Sequence, residues 1–219
     1  MRIAQDIYTE YKIMPSLQLH QLRVAAVAKL LCEHFKEPVK ERVVVLACLF
    51  HDMGNIIKSD LGYFPEFVEP EGREYWEKVK ADFVEKYGGN HHQANVVIAK
   101  EIHLPAASVA FINGIGFSKL AEVVADLSWE RKIVQYADLR VGPHSVLLLK
   151  ERLQEGRKRY TATRTERPYY EFDEEFERLA RAAEELETQI TAQVAITPES
   201  IHEAAVQGSF KELRNYNIA

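Results

Sequence analysis

The chain has 219 residues, enough for one domain with extensions, and 47% of them are hydrophobic, which excludes a globally disordered protein. Ten Gly and eight Pro are too few for a collagen-like or low-complexity chain and few for an all-β fold, so helices are expected. A net charge of −5 argues against general nucleic-acid binding.

The longest unbroken apolar run, Val43 to Phe50, is far short of the roughly 20 residues that cross a bilayer. The first thirty residues hold no apolar stretch of signal-peptide type. A soluble, cytoplasmic protein is expected, with Cys32 and Cys48 as buried thiols in a reducing compartment.

Apolar residues at Leu17, Val24, Val27, Ala28, Leu31 and Phe35 follow a helical period and predict a helix from Ser16 to His34, started at Pro15-Ser16. Glu41 to about Ile57 is apolar nearly all round, as a central buried helix would be; β-branched Val43 to Val45 favour a buried strand, but no turn signal bounds the run. Ser59 to Gly72, with Gly62, Pro65, Pro70 and Gly72, predicts an irregular loop of the length of a lid or pocket wall. Glu74 to Tyr87 is amphipathic through Tyr75, Val79 and Phe83 and stops at Gly88-Gly89. Asn90 is placed to cap a helix over 91–102, and Pro105 to start one to about Ile112. Trp129, Ile133, Tyr136 and Ala137 predict a helix ending near Asp138.

Ser145 to Arg159 and Phe172 to Ile190 predict the last long helices, and Thr197-Pro198 a short one through Ala205, before terminal residues free to fray. Lys150 to Tyr170 carries seven basic and three acidic residues, and Glu171 to Glu187 eight acidic and two basic, which reads as two solvated helix faces that pair. Tyr160, Tyr169 and Tyr170 lie near Arg157, Lys158, Arg159, Arg164 and Arg167, a mix able to contact a nucleotide or a partner, though packing with snorkelling Arg is the plainer reading. No linker divides the chain, so 1–219 reads as a single all-α domain.

Three placements demand an explanation. His51-Asp52 closes the most apolar segment, where an ionised carboxylate is costly unless paired or bound to a cation. His20 lies among Leu17, Leu19, Val24 and Val27, and Asp138 follows Ile133, Val134, Tyr136 and Ala137. Helices converging on one divalent ion explain all of them together, and two imidazoles with two carboxylates suit Mn, Fe, Co, Ni, Mg or Zn. Open positions on such an ion would activate water for hydrolysis. Met14 and Met53 read as core fillers.

On these residues the chain resembles the HD-domain superfamily of metal-dependent phosphohydrolases, whose pattern is H…HD…D. His20 stands in LQLHQLRVAAVAKLL, His51 and Asp52 in VVVLACLFHDMGN with Gly54 just after, and Asp138 in KIVQYADLRV. The resemblance covers about residues 15–160, leaving 161–219 as a C-terminal helical extension of an HD-like helix bundle. It implies a phosphate-ester substrate and an ion held by those four residues.

Some members carry further His residues for a second metal, and His91 in NHHQANVVIAKEIHLP matches the first of them. The next would fall near Phe111 to Gly114, where there is none, so one ion is expected and His91 and His92 are left to face the substrate. Small nucleotidases of the family show a Glu and an Asp where this chain has Asn55 and Asp60. Asn cannot take a proton near neutral pH, so Asp60, His91 or His92 are the candidate acid/base groups.

For the phosphate, Arg23 shares the His20 face by helical spacing, with a surface Arg pairing with a nearby acid as the equal alternative; Lys58 follows the HD segment as a point charge, and Arg140 and His144 are placed to line the rim, where surface solvation is the plainer reading of both. The expected partner is a small phosphorylated substrate, a nucleotide among the candidates, with neither nucleic acid nor membrane; self-association is left open. Two other readings stand beside this one: a catalytically weak sensor that binds metal and a phosphorylated ligand, and a structural bundle whose buried His and Asp pair with one another.

Overall fold

The structure, a computed structural model, describes residues 2–163 and 169–218, with side chains for 2–159 and 173–218. The described residues form helices joined by turns, with isolated bridge pairs and no strand. The all-α expectation is met.

A first helix that the sequence does not announce, α1 (Ala4–Glu10), leads into α2 (Pro15–Glu33), which begins at the expected proline. Proline suits that position because a first-turn N–H has no partner within the helix. Helix α3 (Glu41–Phe50) is the centre of the molecule: Val44 to Phe50 are fully buried. Around it pack α2, α6 (Ala106–Gly114) and α8 (Trp129–Leu139). Tyr8 of α1 donates its hydroxyl to the Leu49 carbonyl at 2.6 Å, tying the first helix to the third.

Helix α3 does not run on to Ile57 as expected. It stops at Phe50, and tight turns with a short 3-10 segment at Asn55–Lys58 follow. Side-chain amides from neighbouring helices satisfy the backbone there: Asp52 N–H donates to Gln21 Oε1 (3.2 Å) and Gly54 N–H to Asn95 Oδ1 (2.6 Å). A run that is apolar all round carries no phase to mark its end.

The loop 59–72 is irregular as expected, broken only by a 3-10 turn at Pro65–Val68. Helix α4 (Arg73–Tyr87) ends at Gly88, whose φ of +80° suits glycine. It buries Trp76, Val79 and Phe83. Tyr75, assigned to that stripe from the sequence, is exposed; Trp76 fills the position and donates Nε1–H to the Val68 carbonyl at 3.1 Å. Helix α5 (His91–Glu101) is capped by Asn90, which accepts from the His92 and Gln93 N–H groups. A short α7 (Leu120–Ala125) was not legible in the sequence.

Helix α9 (Leu149–Thr163) starts later than Ser145, and α10 (Tyr169–Thr191) packs on α7 and α8. Arg157 donates to Asp173 (2.6 Å) and Glu177 (2.7 Å), so the basic and acidic faces pair. The side chains of Tyr160, Arg164, Arg167, Tyr169 and Tyr170 lie outside the described residues.

The helix expected from Thr197 through Ala205 is broken: a 3-10 turn at Pro198–Ser200 precedes α11 (Glu203–Val206) and α12 (Phe210–Arg214). The last residues are tied down rather than frayed, with Ile218 N–H donating to the Arg2 carbonyl at 3.1 Å and the Ile218 side chain buried. Met14 and Met53 are in the core; Cys48 is buried, Cys32 half-buried, and both are free thiols. No single helix among the described residues is long and apolar enough to cross a membrane.

Candidate metal centre

Helices α2, α3 and α8 pack against one another, and each delivers part of one cluster. His20 comes from the second turn of α2, His51 and Asp52 from the chain just past α3, and Asp138 from the last turn of α8. His20 Nε2 lies 3.2 Å from Asp138 Oδ1 and 3.5 Å from Asp52 Oδ2. His51 Nε2 lies 3.4 Å and 3.5 Å from the same two oxygens. Each imidazole nitrogen thus faces one oxygen of each carboxylate.

The second imidazole is pinned from behind. His51 Nδ1 donates to the Cys48 carbonyl at 2.8 Å, which in the neutral ring leaves Nε2 with the lone pair that faces the carboxylates. That buried nitrogen has no well-aligned hydrogen-bond partner among the described residues; the carboxylate oxygens lie off its axis. With bonds of about 2.0–2.2 Å, neighbouring ligands of one ion lie about 3.0–3.6 Å apart, and the four spacings fall in that range. The donors of His20, His51 and Asp52 lie within 4.8 Å of one another, and Asp138 reaches both imidazoles. The residues present fit a divalent ion.

Without a cation the cluster is strongly polarised. Burial works against a charge on His51, but the Asp52 and Asp138 carboxylates outweigh it and push the imidazole up to about 9. Burial likewise opposes ionisation of Asp138, and the adjacent His20 and His51 imidazoles hold its carboxyl well below the usual range.

The cluster lies in the wall of a cavity of about 850 Å³ that also includes Asn55, Lys58, Asp60, His91 and His92. Asn55 is buried, with Oδ1 unpaired among the described residues. Lys58 is exposed, and Asp60 accepts from Gly62 N–H through Oδ1 at 2.9 Å. The rings of His91 and His92 stack with centroids 4.1 Å apart. Burial, then Lys58, then His92 push His91 down to about 4; burial and Lys58 lower His92 as well. Gly54 permits this arrangement: a Cβ there would stand 2.6 Å from Ala94 Cβ and 3.1 Å from the His91 carbonyl oxygen.

Two residues assigned to phosphate from the sequence are engaged elsewhere. Arg23 is buried and its Nε donates to both oxygens of Glu203, at 2.9 and 3.0 Å. Arg140 is fully buried and donates to the carbonyls of Leu147, Pro198 and Ile201 and to the Tyr136 hydroxyl. Arg23 ties the C-terminal segment to α2 and Arg140 ties it to the end of α8, and neither lines the cavity. His144 lies at the edge of the loop 59–72, with its ring against Phe64 and Phe67.

The sequence reading missed other parts of the wall. Phe64 and Phe67 line it from the loop, Arg152 and Arg159 from α9, Phe176 from α10, and Gln135 from α8. Gln135 carried a legible signal, an amide in the otherwise apolar run Ile133 to Ala137. Arg152 and Arg159 are two turns apart on one face of α9, but nothing local says which way that face turns.

The described residues form a helical scaffold that gathers two imidazoles and two carboxylates in the wall of a sizeable cavity, a group that could hold a metal ion. The HD-domain family model matches residues 18–139, more than half of the chain, a span that includes His20, His51, Asp52 and Asp138. The chain belongs to the HD-domain family. No curated protein and no solved structure matches it.

Proposed function

We propose that the protein is a metal-dependent phosphohydrolase acting on a small phosphate ester. The observation that carries this reading is the buried His51 Nε2, without an aligned hydrogen bond, among His20, Asp52 and Asp138 in a cavity wall. Those four residues would hold the ion. Bound there, a divalent cation supplies a Lewis acid for a phosphoryl oxygen and acidifies water.

The chain's own groups supply the rest. Lys58, exposed on the cavity wall, offers a point charge to the phosphoryl anion. Asn55 orients but cannot accept a proton, so the proton acceptor is sought among His91, His92 and Asp60. The His pair is neutral at neutral pH, in part because Lys58 opposes its charging; a phosphate dianion beside Lys58 offsets that opposition and raises the basicity of both rings. Phe64, Phe67 and Phe176 give an organic group apolar surface to lie against, which suits an ester with a planar body such as a nucleotide.

One observation favours a second reading, a ligand-binding sensor: the residue beside the cluster is Asn55, with no titratable proton. A panel of nucleoside monophosphates and sugar phosphates, assayed with Mn, Co, Ni, Zn and Mg, separates the two. Turnover of any member supports the hydrolase; thermal stabilisation by a member without turnover supports the sensor.

A further inference from the structure

Gln135 is fully buried in α8 and lines the cavity. It stands one helical turn before Asp138, so the two side chains leave the same face, about 5–6 Å apart at their Cβ atoms. Its Oε1 accepts from Gly116 N–H at 2.7 Å. Only the carbonyl end of the amide can take that hydrogen bond, so the contact settles which end is which. The amide nitrogen therefore points away from Gly116, and among the described residues it has no acceptor.

Burying amide N–H donors with nothing to receive them is unfavourable, and a Leu or Met would fill this place without that cost. The surroundings hold the amide still. Gly116 adopts φ +140°, which a side chain would strain, and a Cβ there would approach His92 Cε1 to 3.7 Å. One wall thus carries Gln135, Gly116 and His92, with an oriented donor one helical turn from Asp138.

We propose that Gln135 is a ligand-reading residue whose Nε2–H donates to a non-bridging oxygen of the bound phosphoryl group. The inference rests on the phosphate-ester reading of the site and adds to it a donor that reads the anion directly, beyond the point charge of Lys58. Its geometry favours an acceptor oxygen over an ammonium or amide group at that position.

The test compares wild type, Gln135→Glu and Gln135→Met by calorimetry, first with Mn²⁺ alone and then with inorganic phosphate added to the Mn-loaded proteins. Gln135→Glu keeps an oxygen for Gly116 and removes the donor; Gln135→Met keeps the volume, removes both and adds no charge. Both variants are expected to bind Mn²⁺ within about fivefold of wild type and phosphate at least about tenfold more weakly, the scale of one hydrogen bond to a charged group. Phosphate binding kept in Gln135→Met and lost only in Gln135→Glu is repulsion by the added carboxylate and overturns the inference. Unchanged phosphate binding in both variants overturns it too. Mn-loaded wild type that binds no phosphate overturns the phosphate-ester reading, and this inference with it.

Discussion

His20 Nε2 stands 3.2 Å from Asp138 Oδ1, a contact between two helices that lie far apart in the chain and are brought together by the buried α3. The same aspartate oxygen reaches His51 Nε2 at 3.4 Å. One carboxylate thus joins both imidazoles, and what happens to that junction determines how the protein responds to protons, metal and mutation.

In the metal-free protein His51 is pushed up to about 9 by Asp52 and Asp138 against the effect of burial. A cation must displace that proton, so Mn²⁺ affinity is expected to rise from pH 6 to pH 9, at most about tenfold per unit, and to level off above. Calorimetry at pH 7 in buffers of different ionisation enthalpy should detect about one proton released per ion. The chelated protein shows the converse. Between an unfolded value near 6.5 and the folded value of about 9, the native state binds the extra proton, so the stability it contributes is complete below about pH 6.5 and lost as pH rises through 9. Melting temperatures of chelated protein across that window check the sign.

Lys58 and Arg23 were both candidates for the phosphate, and the structure gives them different surroundings. Lys58→Met is expected to weaken phosphate binding to the Mn-loaded protein about tenfold with little change in melting temperature, because the side chain is exposed. Glu203→Gln is expected to cost about 1–3 kcal/mol of stability, because it leaves the Arg23 guanidinium buried beside a neutral group, and to leave phosphate affinity unchanged. Denaturant melts and phosphate titrations of the two variants should therefore move in opposite columns.

Gly54 follows the HD dipeptide where α5 comes closest. Gly54→Ala forces a methyl to 2.6 Å from Ala94 Cβ, and the resulting shift is expected to cost about 1–3 kcal/mol. Because Asn95 accepts from Gly54 N–H, the same shift moves the turn that carries Asp52, so Mn²⁺ affinity should fall with stability. Ala94→Gly in the Gly54→Ala background relieves the collision and should restore Mn²⁺ affinity, measured by calorimetry.

The parts of this structure that a reader of the sequence can see are those whose causes are local. Pro15, Asn90 and Gly88 mark helix ends through their own backbone chemistry, and the spacing around His20 and Asp138 shows which faces are buried. The His-Asp pair is conspicuous because a charge at the end of an apolar run needs a cation or a partner. The end of α3 was misplaced because Gln21 and Asn95, far away in the chain, satisfy the backbone where the helix breaks. The surroundings of Arg23 and Arg140 have the same kind of cause: Glu203 pairs with Arg23, and the Pro198 and Ile201 carbonyls hold Arg140 beside its local partners Tyr136 and Leu147, and no periodicity near either arginine announces the distant ones. Gln135 breaks an apolar pattern, but an uncharged amide in a buried run stands out less than a charge does.

The claim on which everything else depends is that His20, His51, Asp52 and Asp138 hold one ion. Elemental analysis of purified wild type and of the Asp138→Ala variant, each after loading with Mn²⁺ and gel filtration, tests it most directly. The account predicts one ion per wild-type chain, and for the variant an affinity lower by more than about 100-fold, beyond the 10–100-fold typical of removing an outer-shell partner. Wild type that retains no ion, or an Asp138→Ala variant that retains it as well as wild type, would contradict the account.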